Sequence, residues 1–361
     1  MEKYESARLE LERLLSICAK REASDLHLSC GKPPLLRIEG KLTPIEKEGI
    51  LSPEKTESLV LALMNQAQKE KYLAEKELDF SYAFGDQARF RVNVYHEKGH
   101  RAAALRLIPL QIKTLKELSL PETLKEFCEA KQGFVLVVGP AGHGKSTTLA
   151  CMIDIINHSR AEHIITIEDP IEYLFIEDKS LIEQREIYAD TNSFSRALRS
   201  VLREDPNVVM IGEMRDLETI SSALTVAETG HLVFSTLHTN NAPQTIDRIV
   251  DVFPPFQQRQ MRVQLANNLL AIISQRLITR IGGGLVVVVE VMKNIPAVAS
   301  LIREGKTYQL DSVIQTSAEE GMIPLDKSLA ELTKAGVIRF EDALAYANNR
   351  KGFKMIVGET I

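Results

Sequence analysis

Apolar positions fall into two regimes along the chain. Up to about residue 109 they alternate over short runs between helical segments, and from Phe134 onward continuous apolar runs recur between stretches of helical periodicity. In the first regime, Leu11, Leu14, Leu15 and Cys18 share one helical face and predict a helix over residues 1–20. The stretch "ASDLHLSCGKPPLLRIEGKL" alternates in short runs broken at Gly-Lys-Pro-Pro and Glu-Gly, which predicts a β-hairpin region. Residues 53–75 are helical in pattern, with Pro53 suited to a first turn. "FSYAFGDQARFRVNVYHEKGHRAAALRLIP" reads as three strands broken at Gly85-Asp86 and Lys98-Gly99. An α+β domain over 1–109 is the expectation, followed by a linker over 110–132.

In the second regime, runs at 134–138, 164–167, 208–211 and 232–236 are rich in β-branched residues and alternate with helical stretches. That alternation predicts an α/β domain over 133–361, with a mostly parallel sheet covered on both faces. From about residue 290 the pattern turns helical, most clearly in "AVASLIREGKTYQLDSVIQ" and "LDKSLAELTKAG".

Composition narrows the class. The 361 residues leave room for two or three domains, each with its own core. With 44 basic against 49 acidic residues the net charge is −5, which argues against direct binding of nucleic acid. The N-terminal "MEKYESARLELERLL" is charged, so no signal peptide is expected, and the apolar run "LVVVV" is far short of the ~20 residues of a membrane span. Any membrane association is expected to run through a partner. Cys18, Cys30, Cys128 and Cys151 form no C-x-x-C pair, so no zinc site is expected and a reduced cytoplasmic protein is the simplest reading.

The chemistry is concentrated in "VVGPAGHGKSTTLA". Gly139-x4-Gly144-Lys145-Ser146 is the full phosphate-loop pattern, placed between a strand and a helix as that motif requires. Its glycines let backbone N–H groups turn inward to cradle a β-phosphate, and the helix start adds a positive dipole end. Lys145 is placed to reach the β- and γ-phosphates, and Ser146 to offer its hydroxyl to Mg²⁺. Gly139, Pro140, Ala141, Gly142, His143, Gly144, Lys145, Ser146 and Thr147 are therefore the expected contacts of ATP. His143, at a variable position of the loop, is expected to contribute its backbone N–H rather than its ring.

Hydrolysis needs acids as well. "HIITIEDPIEYLF" presents Glu168, Asp169 and Glu172 after one strand, and "NVVMIGEMRD" presents Glu213 after another. Ligands of open α/β sheets bind at the strands' carboxyl ends, so both acidic turns are expected to face the phosphates. His231 and His238 bracket the strand "HLVFST". From spacing alone, His238 is equally a structural residue or one that approaches the γ-phosphate. In "NSFSRALRSVLRED", Arg196, Arg199 and Arg203 line one helix face opposite Phe194, Leu198, Val201 and Leu202. That basic stripe is either solvated or lies near the nucleotide or a subunit seam. Arg89 and Arg91 share one strand face by period two and, with Arg106, form a second basic group.

Taken together, "TIEDPIE", "ALRSVLREDPNVVMIGEMRDLETI" and "AETGHLVFSTLHTNNAPQTIDRIVDVFP" resemble the Asp box, Walker B segment and His box of the secretion-type ATPases. Within that group the chain resembles the type IV pilus retraction ATPases, the PilT family, over nearly its whole length. The resemblance implies a RecA-like ATPase domain preceded by a PAS-like domain. It implies a homohexameric ring in the cytoplasm, docked on an inner-membrane platform protein; an accessory retraction ATPase is either a further partner or the role of this chain itself, which would then need a second motor. MgATP hydrolysis would drive removal of pilins from the fibre base. By motif, Glu172 would activate the attacking water and Glu213 would support Mg²⁺ and water. His231 and His238 would couple the γ-phosphate to the ring, and the resemblance favours Arg89, Arg91 and Arg106 reaching the nucleotide; Arg199 and Arg203 are candidates for it from the helical stripe alone. The chain departs from the family pattern at "AVASLIRE", where the usual motif begins A-I-R-N-L-I-R-E, and at His143, where a small residue is more usual. Pilus-assembly and type II secretion ATPases share the chemistry, but commonly carry a four-cysteine zinc insertion that this chain lacks. A nucleic-acid translocase and a nucleotide-sensing scaffold that binds ATP without turnover are the readings from other classes.

Overall fold

Leu11, Leu14, Leu15 and Cys18 close one side of α1 (Glu2–Lys20), and all four are fully buried. The computed structural model describes residues 2–358 apart from 22, 39, 46, 86, 87, 109 and 110, with side chains from residue 6 onward. The expected break at Asp86 and domain end at Pro109 lie outside the described residues. The chain divides into two compact units, Met1–Gln111 with Pro170–Leu174, and Ile112–Asp169 with Phe175–Ile361.

The first unit continues through β1 (Asp25–Ser29), β2 (Leu35–Ile38), β3 (Lys41–Pro44), α2 (Pro53–Ala62), α3 (Gln66–Glu75), β4 (Leu78–Phe84), β5 (Ala88–Glu97) and β6 (His100–Ile108). Its sheet is antiparallel throughout, in the order β3-β2-β1-β6-β5-β4. Alternation along β5 sends Phe90, Val92 and Val94 into the core with the leucines of α1, and leaves Arg89 and Arg91 on the other face. The helical pattern over 53–75 resolves into two helices, α2 and α3. Asn65 accepts from the N–H of Gln68 while the Gln68 side chain accepts from the N–H of Asn65, a capping box that starts α3. No glycine or proline marks the break, so the apolar pattern runs straight through it.

The second unit begins earlier than predicted. Leu115, Leu120 and, on α4 (Leu124–Glu129), Leu124, Phe127 and Cys128 are buried, so the stretch expected to be a linker is built into the core. There follow β7 (Gly133–Val138), α5 (Lys145–Ser159), β8 (His163–Glu168), β9 (Leu181–Glu186), α6 (Phe194–Val201), β10 (Val208–Ile211), α7 (Leu217–Glu228), β11 (Leu232–Leu237), α8 (Ala242–Asp251) and α9 (Pro255–Asn268). The chain ends through β12 (Leu269–Thr279), β13 (Leu285–Lys293), α10 (Pro296–Glu304), α11 (Leu310–Thr316), α12 (Leu325–Lys334), α13 (Phe340–Tyr346) and α14 (Arg350–Val357).

The second sheet runs β13-β12-β7-β11-β10-β8-β9, with β7 to β12 mutually parallel and β13 antiparallel at the edge. Phe134, Leu136 and Val138 of β7 pack with Ile220, Leu224, Ile246 and Leu265 from α7, α8 and α9. Val135 and Val137 point the other way, against Leu149, Met152, Ile153 and Ile156 of α5. A strand covered on both faces must be apolar at every position, and β7 is fully buried along its length.

The four cysteines are free, and burial pushes the thiols of Cys18, Cys128 and Cys151 up to about 12. No helix among the described residues is long and apolar enough to cross a membrane. Replacing Asn65 by Ala removes one of the capping bonds that start α3 and is expected to cost about 1 kcal/mol of stability. Urea unfolding followed by circular dichroism checks this; an unshifted midpoint would show that the cap does not hold α3.

Candidate active site

Parallel pairing puts the carboxyl ends of β7, β11 and β10, which are neighbours in the sheet, on one edge. The glycine loop leaves β7 there. Gly139 has φ 152°, and a Cβ at that position would lie 2.5 Å from the carbonyl oxygen of Gln275, so the loop passes β12 where no side chain fits. Gly142 and Gly144 hold φ of 75° and 80°, the left-handed values that turn successive N–H groups to one side. Lys145 opens α5, with Ser146 and Thr147 half-buried in its first turn.

Lys145 is itself buried. Its Nζ donates to the carbonyls of Gly139 at 2.9 Å and Pro140 at 3.0 Å, and lies 3.3 Å from His238 Nδ1. His238 follows β11, and its Nε2 lies 3.3 Å from Glu213 Oε2. Glu213 follows β10 and is also ion-paired with Arg215. Three strand ends thus supply a lysine, an imidazole and a carboxylate in one line. Between the two acidic turns, Gly212 packs closely on β8, its N–H donating to the Ile167 carbonyl at 2.8 Å. Glu168, the last residue of β8, is buried and accepts from Thr166 Oγ1 and Gln184 Nε2. Of the expected residues, the structure therefore brings together Gly139, Pro140, Lys145, Glu213 and His238.

Others part company with this edge. His231 precedes β11, so the full strand, about 20 Å at about 3.3 Å per residue, separates it from His238. There its Nδ1 lies 2.9 Å from the Val226 carbonyl and 3.1 Å from Thr229 Oγ1, at the end of α7. Within one chain, His231 and His238 therefore stand at opposite ends of β11. The ring of His143, expected to be idle, accepts from the N–H of Leu277 at 2.9 Å through Nδ1. Burial, with help from the charges of Arg276 and Lys145, holds that imidazole below its ordinary pKa and keeps it in the neutral form an acceptor needs. The predicted basic helix is short: α6 stops at Val201, so Arg203 lies in the turn beyond, and Leu202 is 40% exposed rather than buried. Arg199 is ion-paired with Glu218. At the altered "AVASLIRE" motif, Ala299 is buried on α10 in the position where the family pattern has arginine, while Arg303 is exposed.

Glu172 groups with the first unit, a different compact unit from Lys145. Its carboxylate lies 3.4 Å from Arg91, which stands directly opposite Arg106 in the β5–β6 register. Arg106 donates to Asp25 at 3.0 Å, and Arg89 donates to Ser81 at 2.7 Å. The basic group predicted on this sheet face is present, with a polar partner for each member.

The sequence pattern gave no warning of β12 as part of the site. α9 passes into β12 without a turn residue, so the boundary leaves no mark. Yet β12 touches both loops: Gln275 and Leu277 reach the glycine loop, and Arg276 donates to Asn240 beyond His238. Opposite Ser274 on β13, Glu290 accepts from Ser274 Oγ at 3.1 Å and from the N–H of Ala242 at 3.3 Å. Burial raises its pKa from 4.5 to about 7, against the pull of those bonds and of Arg276.

Residues 8–315 match the family described as type II/IV secretion system protein. The chain belongs to that family. The type IV pilus retractation ATPase PilT of Pseudomonas aeruginosa is 46% identical over 345 residues, spanning 96% of this chain and 100% of that protein. The type IV pilus ATPase PilU of the same organism is 41% identical over 350 residues, 97% of this chain and 91% of that one. The crystal structure of the pilus retraction motor PilT with bound ADP superposes with a TM-score of 0.88 at 46% identity, covering 94% of this chain and 98% of that one. Membership of this secretion family agrees with the fold: a mostly parallel sheet with a phosphate loop, and a separate antiparallel domain at the N-terminus.

Glu290 supplies a pH test of the brace behind the site. Its folded pKa lies above the ordinary value, so the stability it contributes is full below 4.5 and is lost as pH rises through about 7. Between pH 5 and pH 8 the wild type should lose roughly 2–3 kcal/mol relative to Glu290→Gln. Urea unfolding of both proteins across that range checks the sign; parallel pH profiles would show that Glu290 does not titrate in the fold.

Proposed function

We propose that this chain is an ATPase motor that powers disassembly and retraction of type IV pili. The observation that carries the reading is the line from Lys145 through His238 to Glu213 beside a complete phosphate loop, in a chain 46% identical to a pilus retraction motor over 96% of its length. The loop amides and the start of α5 receive the β-phosphate, and Lys145 exchanges its carbonyl partners for the phosphates. His238 is the residue that senses the γ-phosphate, because it links Lys145 to Glu213. Glu172 is assigned to the attacking water. Arg89, Arg91, Arg106, Arg199 and Arg203 are assigned to the charge that develops on the transferred phosphoryl group.

Mg²⁺ fits the donors at hand. No cluster of three or more His, Cys, Asp or Glu side chains with metal-binding geometry occurs among the described residues. A cation held by one hydroxyl, one carboxylate through water and the substrate's own oxygens needs no such cluster. Ser146 and Glu213 would hold it, and it would neutralise charge on the β- and γ-oxygens.

A homohexamer on the cytoplasmic face of the inner membrane, docked on the pilus platform protein, is the assembly in which this work would be done. An accessory retraction ATPase would be a further partner, and nucleic acid would not. Phosphate release by the purified protein tests the enzyme: Lys145→Ala and Glu172→Ala should each lower turnover at least about a hundredfold, and chelation of Mg²⁺ should abolish it. Full turnover in either variant would remove that residue from the mechanism. In cells, loss of the gene should leave excess surface pili that do not retract, whereas bald cells would mark an assembly motor.

A further inference from the structure

Three consecutive residues of β12 grip the glycine loop and the loop that follows His238. Gln275 uses both ends of its amide: Nε2 donates to the His143 carbonyl at 2.6 Å, and Oε1 accepts from Thr148 Oγ1 at 2.8 Å. One fully buried side chain thus spans the crest of the phosphate loop and the first turn of α5. Leu277, two positions on, donates its N–H to His143 Nδ1, so His143 is tied to β12 through both its carbonyl and its ring. Between them, Arg276 donates through Nη2 to the Asn240 carbonyl at 2.7 Å and to Asn240 Oδ1 at 3.1 Å, and through Nη1 to the Gln275 carbonyl at 2.9 Å. That same Gln275 carbonyl is the atom against which Gly139 is packed.

We infer that Gln275 and His143 are positioning residues that fix the phosphate loop in its receiving shape before nucleotide arrives. A loop with three glycines of positive φ has many conformations to lose on binding phosphate. Bonds made in advance to a largely buried strand, held between β13 and β7, remove that cost from the binding step. An amide suits this job where a carboxylate does not, because the loop offers one carbonyl and one hydroxyl, an acceptor and a donor. The imidazole of His143 adds a third bond, reached by a ring where a small residue has nothing to offer. The inference rests on the ATPase reading for its purpose, not for its geometry.

The test uses the full chain. Amide hydrogen exchange without nucleotide reads the loop directly. Gln275→Leu and His143→Ala should speed exchange across residues 139–148 at least about tenfold, while the unfolding midpoint moves little. Binding of ADP should weaken about tenfold in each, the scale of losing one or two hydrogen bonds, and by more than kcat falls. His143→Asn, whose side-chain oxygen can take the place of Nδ1, should restore both readings. Unchanged exchange in both variants would overturn the inference, as would an equal loss of affinity, kcat and thermal stability. If the wild type bound no ADP, the ATPase reading would fall, and the exchange data would still decide whether the loop is held.

Discussion

Parallel strand pairing is the constraint from which the rest of the second unit follows. Six strands that run the same way must all begin at one edge and end at the other, with helices carrying the chain back. Every loop that leaves a carboxyl end therefore opens on the same side. The glycine loop, the turn at Glu213 and the turn at His238 meet because β7, β10 and β11 end together. The polarity of the sheet, rather than proximity along the chain, makes them neighbours. The same polarity separates His231 from His238, although only one short strand lies between them in sequence.

The electrostatics of that edge are graded. A buried ammonium group sits among its own loop's carbonyls, with an imidazole on one side and a carboxylate, itself paired with Arg215, beyond it. Behind them, β12 and β13 hold Gln275, Arg276 and Glu290 in the interior, where an unmet polar group is costly. Glu290 meets that cost by keeping its proton near neutrality, and Arg276 by bonding to backbone carbonyls. The polar groups that support the site are thus as fully engaged as those that line it.

Much of this was legible in the chain. The phosphate loop announces itself because few residues besides glycine tolerate its backbone, and the four central strands announce themselves because burial on both faces demands unbroken apolar runs. What stayed hidden has physical reasons. β9 carries one buried residue at its end and reads as polar, and β12 continues from a helix with no turn residue between them. The split between α2 and α3 depends on an asparagine whose capping role is visible only once Gln68 is seen to answer it. The engagement of His143 was illegible for a different reason: its partner, the N–H of Leu277, lies 134 residues away and belongs to the backbone. Side chains that bond to distant backbone leave no pattern in sequence. Glu172, by contrast, was readable as an acid after a strand, but not that its segment packs with the first unit.

The central claim is that the edge formed by the glycine loop, His238 and Glu213 is where nucleotide phosphates are bound and cleaved. A crystal structure of the chain with Mg²⁺ and a non-hydrolysable ATP analogue addresses it most directly. The account predicts Lys145 Nζ within about 3 Å of a phosphate oxygen, drawn off the carbonyls of Gly139 and Pro140, with His238 on the γ side. Phosphates bound elsewhere, with Lys145 still resting on those two carbonyls, would contradict it.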